Sequence, residues 1–586
     1  MTVSQQIEDL TSRKDSYVLL QRFSMPTKDG PQDAIAVTFE VSKILLSFYT
    51  IMVGFIMLQL WYLAVLVGIG IFAKSKRLTR NMGVANVAIW NSPAPLSVIK
   101  AMFDYSSRIP LYALMWAAAA ALAWAGSFTM SLLVSPELII GAAAPANLQS
   151  IYVPEVPQGN LSSVFLRWLS LQVPSNLRAI EVLEALNPKT GQATNTSSFN
   201  VIVQNPQIST DSKGRQVYQV DYSYNLDEVD FGLQHIEKLS LAAQGSCVTE
   251  YNWYNDSQVD NTTNVTYDTY YPYGSIPDGI SVSLADGKPP LAFISVPQNQ
   301  SGANISFAAI ISSVQRRSFT PGSDPLYLTQ PWPADQPADP FGAGYVVQTQ
   351  RPALSCWQQD MWTHNGQSKA TSEIEQLGVL PPALVDVFKQ TLGVPRIINL
   401  AQALGTSMLK SAATSQGYYF DAQASSLHDD LQRLVLGAYI ATKNTLTETT
   451  MFSNIYESDI PNLAFNESEK QFKGGAADFV IYGNNFAALR INFLIVVPII
   501  TVVLWLAVYL LTDNPFFPLP WAYVNALKAP VLYSAVDVET FRNDHESGWR
   551  RKSQAPYYKE KDKLAHVRPK YDKERRIFSW HSHTHE

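Results

Sequence analysis

Three apolar runs divide the chain: Ile44–Ala73, Ile109–Val134 and Ile491–Thr512. None contains Asp, Glu, Lys, Arg or His. Each exceeds the roughly 20 residues that a helix needs to cross a bilayer. The first, as a helix, would reach about 45 Å against a hydrocarbon core of roughly 30 Å, so it must tilt or extend past the membrane. Between the second and third runs the periodicity changes. In Arg215–Leu226, Tyr218, Val220, Tyr222 and Tyr224 alternate with Gln219, Asp221 and Ser223, the pattern of a half-buried strand. Phe199–Val203, Ile280–Leu284, Leu291–Val296 and Tyr345–Thr349 are further short strands between Gly, Pro and Asn turns. Pro331–Pro340 reads as a loop. From about Ser372 the period is helical, over Ala383–Leu392, Val394–Ala412 and Ser425–Thr449.

The expected fold is therefore a membrane protein with three transmembrane helices and a large α+β ectodomain. Its segments are 1–43 outside, span 44–73, a cytosolic loop 74–108, span 109–134, an ectodomain 135–488, span 491–512 and a cytosolic tail 513–586. Within the ectodomain, about 151–358 reads as β-rich and sandwich-like, and 372–450 as a helical layer that either covers the sheet or stands on the membrane.

Charge sets the direction. Lys74, Lys76, Arg77 and Arg80 follow the first span, and between Arg550 and Arg576 eleven Lys/Arg face four Asp/Glu. The positive-inside rule puts both in the cytosol. Alternation then places the N-terminus and 135–488 outside. Arg490, at the outer end of the third span, goes against the bias. The eight N-x-Ser/Thr sequons, at Asn160, Asn195, Asn255, Asn261, Asn264, Asn299, Asn304 and Asn466, all fall in 135–488. That distribution implies a glycoprotein of the plasma membrane or another secretory-pathway membrane. The only cysteines, Cys247 and Cys356, lie in the same block and are expected to form a disulfide.

Ala113, Ala117, Ala121 and Ala125, with Ala64 and Gly68, offer small-residue stripes. These serve either a homo-oligomer seam or packing within one chain. Segments around Leu96–Phe103 and Trp521–Leu527 read as interfacial, and the basic tail would attract anionic lipid. A net charge of −6 spread along the chain gives no reason to expect nucleic acid.

No G-x-S-x-G, H-E-x-x-H, P-loop or G-x-G-x-x-G is present. His235, His364 and His428 are too far apart in sequence to be assigned to a triad or metal site, and no catalytic residue, metal ligand or cofactor is expected. Aromatic density is the one positive signal. Tyr251, Trp253, Tyr254 and Tyr271 crowd a stretch holding three sequons, suited to a sugar or a protein partner, or equally to a strand-pair core.

Gly344–Gln358 (GYVVQTQRPALSCWQ), Gly417–Ala422 (GYYFDA) and Asp430–Val435 (DLQRLV) resemble segments of uncharacterised multi-pass membrane glycoproteins of filamentous fungi. The resemblance implies a fungal surface or endomembrane location and carries over no functional residue. The expected role is non-enzymatic: surface recognition, structure, or an accessory subunit, acting through the ectodomain. The alternatives are a channel-like oligomer gated by the ectodomain, and an ectoenzyme acting on glycans.

Overall fold

The computed structural model describes residues 15–74, 80–157, 163–186, 200–262, 265–274, 279–282, 291–295, 304–311, 316–404, 409, 419–452 and 459–513. It also describes the backbone of short strands within 548–582. Lys76, Arg77, the sequons Asn160, Asn195, Asn264 and Asn299, and Trp521–Leu527 lie outside the described residues. The chain forms two compact units: Met1–Val37 with Gly141–Ala488, and Thr38–Ile140 with Leu489–Glu586.

In the second unit three helices are long and apolar enough to cross a membrane: Phe39–Lys74, Pro110–Val134 and Ile491–Asp513. Helix Phe39–Lys74 starts five residues before the apolar run, because Phe39–Lys43 continues it. Glu40 sits in its first turn, where a negative charge complements the helix dipole, and the Lys43 ammonium lies 4.2 Å over the Phe39 ring. Pro498 stands inside the third helix and removes one backbone donor. Arg490 faces Glu137 at 3.5 Å.

The stretch holding the segment read as interfacial forms two short helices, Arg80–Asn91 and Pro95–Tyr105. Val87, Ala88, Ile89, Val98 and Met102 join Trp61, Leu66, Tyr112 and Trp116 in one apolar core. Trp61 Nε1 donates to the Pro93 carbonyl at 2.6 Å, and the Tyr112 hydroxyl bonds the buried Asn86 side chain. Gly68 is needed here, since a Cβ would come within 2.7 Å of the Trp116 ring. The alanine stripe splits: Ala113 is buried, Ala121 and Ala125 exposed. Four-residue steps drift about 40° around a 3.6-residue helix, so the last two leave the packed face.

The first unit is built on an eight-stranded antiparallel sheet. Its strands are β1 Val201–Val203, β2 Gln207–Thr210, β3 Gln216–Asp227, β4 Leu239–Glu250, β5 Leu291–Ser295, β6 Asn304–Ile311, β7 Ala353–His364 and β8 Gln367–Ala370. The order is β5-β6-β7-β4-β3-β1, with β8 on β7 and β2 on β3. The centre is the β4–β7 pair, in register over all twelve residues from Leu239↔His364 to Glu250↔Ala353. One sheet face is apolar: Val220, Tyr222, Tyr224 and Leu226 on β3, Leu241, Ala243 and Cys247 on β4, Cys356 and Trp362 on β7. Helices Pro382–Leu392 and Leu427–Lys443 cover that face. Tyr224 meets Tyr439 edge-on at 6.0 Å, and Trp362 meets Phe388 at 4.9 Å. Helix Leu427–Lys443 is buried almost all round, capped by Ser426 accepting from the Asp429 amide.

One element corrects the sequence reading and another adds to it. The stretch read as β-rich contains a 24-residue helix, Ser163–Leu186, with Pro174 inside it. Its buried face carries Leu171, Ala179, Ile180 and Leu183. The N-terminal segment, read only as lying outside, carries secondary structure of its own: Arg22–Met25 and Gln32–Thr38 pair as an antiparallel hairpin.

Candidate functional site

A half-open cavity of about 770 Å³ lies in the first unit. That size lies within the range of small-ligand sites. Four chain stretches converge on it: Val18–Ser24 with Asp33, Pro145–Gln149, Gln234–His235 and Ala477–Asp478. The hairpin puts Arg22 opposite Ile35, two register positions from Asp33 on the same face, and the Arg22 and Asp33 side chains pair at 2.6 Å with both ends in solvent. Gln234 ties two walls together: its Oε1 accepts from the Ser24 amide at 3.3 Å and its Nε2 donates to the Phe479 carbonyl at 3.1 Å. Asn147 accepts from the Gln149 amide within its own wall and donates to the Asp15 carbonyl, three residues before the Val18–Ser24 wall. His235 is held at φ +62°. Histidine tolerates this left-handed region better than most residues, but holding it there stores strain, which concentrates at functional sites. The lining therefore presents one guanidinium, one imidazole, two carboxylates and fixed amides, a set suited to hydrogen-bonding a polar ligand.

None of this was singled out from sequence except His235, and then only as an isolated histidine. One usable signal existed: Asp29-Gly30 between two alternating stretches is a hairpin turn signature, with Gly30 at φ +99° and its amide bonded to the Thr27 carbonyl.

The residues that sequence did single out lie elsewhere. Cys247 and Cys356 are directly opposed on β4 and β7, at disulfide distance, with Cα atoms 4.1 Å apart. Among the described sequons, Asn255, Asn261 and Asn304 are exposed and Asn466 is half-buried. Tyr251, Trp253, Tyr254 and Tyr271 are all half-buried. Trp253 and Tyr254 pack on a small core of Tyr270, Val282, Ile310 and Ala353. The Trp253 ring is 4.6 Å from Tyr273, and the Tyr251 ring lies under the Arg215 guanidinium. Among the described residues no three of His, Cys, Asp or Glu gather to hold a metal. His364 and His428 do not line the cavity.

Beneath the helical layer runs a polar ladder. The Tyr222 hydroxyl donates to Gln358 Oε1 at 3.0 Å, and Gln358 Nε2 donates to Asp360 Oδ1 at 2.8 Å. A Cβ at Gly245 would strike the Tyr222 ring, so this rung needs glycine opposite it. Burial pushes Asp360 up to about 6, against the lowering effect of Gln358. The folded state then holds a proton between pH 4 and 6 that the unfolded chain has lost. Stability from this group falls as pH rises through that window and levels off above it. Asp360→Asn is expected to stabilise the protein by up to roughly 3 kcal/mol above pH 6 and by nothing below pH 4. Thermal unfolding of both proteins across pH 4–7 measures this; parallel curves would refute it.

A family model described as Domain of unknown function (DUF8406) matches residues 173–481, more than half of the chain. No curated protein and no solved structure matches.

Proposed function

Starting from the premise that the chain belongs to the DUF8406 family, we propose that it is a non-enzymatic membrane glycoprotein whose extramembrane unit recognises a polar ligand or partner segment in the Arg22–Asp33–His235–Asp478 cavity. The three apolar helices anchor it, with the N-terminus and the 141–488 body outside or in the lumen and the basic tail in the cytosol. The cavity carries the recognition reading: distant stretches of chain are tied together around it by Gln234 and Asn147, and charged side chains are left facing solvent. The confinement of all sequons to 135–488 and the basic residues after Ala73 and Arg550 support the topology.

Topology is checked on intact cells. External protease should spare a C-terminal tag, and endoglycosidase should lower the apparent mass. A tag cleaved from outside overturns the orientation. For recognition, a photo-crosslinking residue at Gln149 on the cavity wall should give a discrete adduct in the native membrane. Asp33→Ala and Asp478→Ala should remove that adduct. Loss of the exposed Arg22–Asp33 pair costs at most about 1 kcal/mol, so the protein should remain folded. No adduct, or equal adducts in all three proteins, overturns the reading.

A further inference from the structure

Among the described residues, the most exposed aromatic side chains of the extramembrane unit are not those of the Tyr251–Tyr273 stretch. They gather around the two-residue strand Arg317–Ser318, which pairs with Tyr345–Val347 on one side and Tyr419–Phe420 on the other. Phe319 is 49% exposed and Phe341 72%. Phe319 stacks on Tyr419, with centroids 5.9 Å apart and planes 21° apart, whereas Phe341 stands at 74° to the same ring, 5.2 Å away. Tyr419 thus joins the two exposed rings into a corner, with Phe319 stacked on it and Phe341 standing as a wall beside it. Arg317 backs it, its guanidinium 5.0 Å from the Trp332 ring and 5.6 Å from Tyr419.

The wall is held in place. Buried Asp339 accepts from the Phe341 and Ala343 amides through Oδ1, and from Arg317 and the Tyr419 hydroxyl through Oδ2. Trp332 Nε1 donates to the Pro337 carbonyl, and the Gly342 amide to that of Asp339. A loop so braced presents an apolar ring to water in a fixed position. Contiguous exposed apolar surface of this kind marks a contact site, and fixing it beforehand lowers the ordering cost of binding.

We propose that this corner binds a neutral pyranose ring of a glycan. Two observations choose that occupant. The one cation described at the corner, Arg317, is already paired with Asp339, and the nearby exposed acid, Asp421, keeps its negative charge while accepting from Thr320, so an anionic ligand is opposed whereas the hydroxyls of a neutral ligand find a carboxylate acceptor. Polar groups also accompany the rings: the Tyr419 hydroxyl, which accepts from Arg317, and the hydrogen-bonded Thr320 and Asp421, one residue beyond Phe319 and two beyond Tyr419. A pyranose has the matching character, a C–H face for the rings and a rim of hydroxyls for the polar groups. The site is distinct from the cavity and does not depend on it, since none of its residues lines that space.

The test uses the full chain in detergent, after endoglycosidase treatment. The probes are the neutral hexasaccharides of β-linked glucose and of N-acetylglucosamine, with a uronate hexasaccharide as the charged control. Binding is followed by calorimetry and by Trp332 fluorescence. Saturable binding of a neutral hexasaccharide is expected, at least tenfold weaker in Phe341→Ala and in Phe319→Ala, and retained in Phe341→Tyr. Because Phe341 is largely in solvent, its alanine variant should unfold at an unchanged temperature. No neutral hexasaccharide bound at millimolar concentration, or undiminished binding in both alanine variants, overturns the proposal. So does preferential binding of the uronate probe. A dimer that Phe341→Ala converts to monomer would reassign the corner to a second copy of the chain.

Discussion

Replacing Asp268 by alanine is expected to destabilise the unit built on the eight-stranded sheet by about 3–5 kcal/mol, the usual cost of leaving a buried charge without its partner. Asp268 and Arg351 pair at 2.6 Å with essentially no solvent access to either side chain. The guanidinium also donates from Nε to the Gln348 carbonyl at 2.8 Å and from Nη1 to that of Ile311. These neutral acceptors cannot balance a full charge. The pair closes the three-stranded sheet of Tyr254–Asp260, Val265–Tyr270 and Ile280–Val282 against the segment leading into β7, and the Tyr270 hydroxyl donates to the Arg351 carbonyl beside it. A double replacement, Asp268→Leu with Arg351→Met, removes both charges at once and should recover most of the loss, because apolar groups can replace a buried ion pair at little cost. Denaturant unfolding of the three proteins measures this. A double variant no better than Asp268→Ala would show that the charges matter individually rather than as a pair.

The second large effect is at Cys247. Cys247→Ala is expected to lower stability by about 2–5 kcal/mol. Cys247 and Cys356 are separated by 109 positions in sequence and lie opposite one another in the middle of the β4–β7 ladder. In the chain-entropy account, closing a loop of that length is worth up to about 4.7 kcal/mol. The substitution also leaves Cys356 as a thiol among apolar neighbours. Thiol labelling of the wild type, unfolded without reductant, should find no free sulfhydryl; labelling at both positions would sink the idea.

The three long apolar helices were the most legible in the sequence, because an uncharged run of over twenty residues keeps its signal whatever packs against it. Helices Pro110–Val134 and Ile491–Asp513 match the expected runs to within a residue or so at each end. Strand β3 was legible because one of its faces is buried and the other is not, so alternation survives in the residues. Helix Ser163–Leu186 was missed because Pro174 reads as a break, although Leu171, Ala179, Ile180 and Leu183 keep a helical period around it. The cavity was not legible at all. Its walls come from residues more than 450 positions apart, and only tertiary structure sets Asp478 beside Arg22. The aromatics show the same limit: local density located Tyr251–Tyr273, but it could not tell those buried and half-buried rings from Phe319 and Phe341, which face water.

The β4–β7 pairing also bears on how the molecule is made. The two central strands are joined by no hairpin: β4 ends at Glu250 and β7 begins at Ala353. At 5–20 residues per second, a ribosome needs roughly 5–20 s to add what lies between them. During that interval β4 has β3 on one side and nothing on the other, leaving an open edge that could template pairing with another chain. Non-local pairing of this kind also folds slowly even once the whole chain is present. Production of this protein should therefore depend on chaperones that shield strand edges, and slower synthesis at lower temperature should raise the yield of folded material.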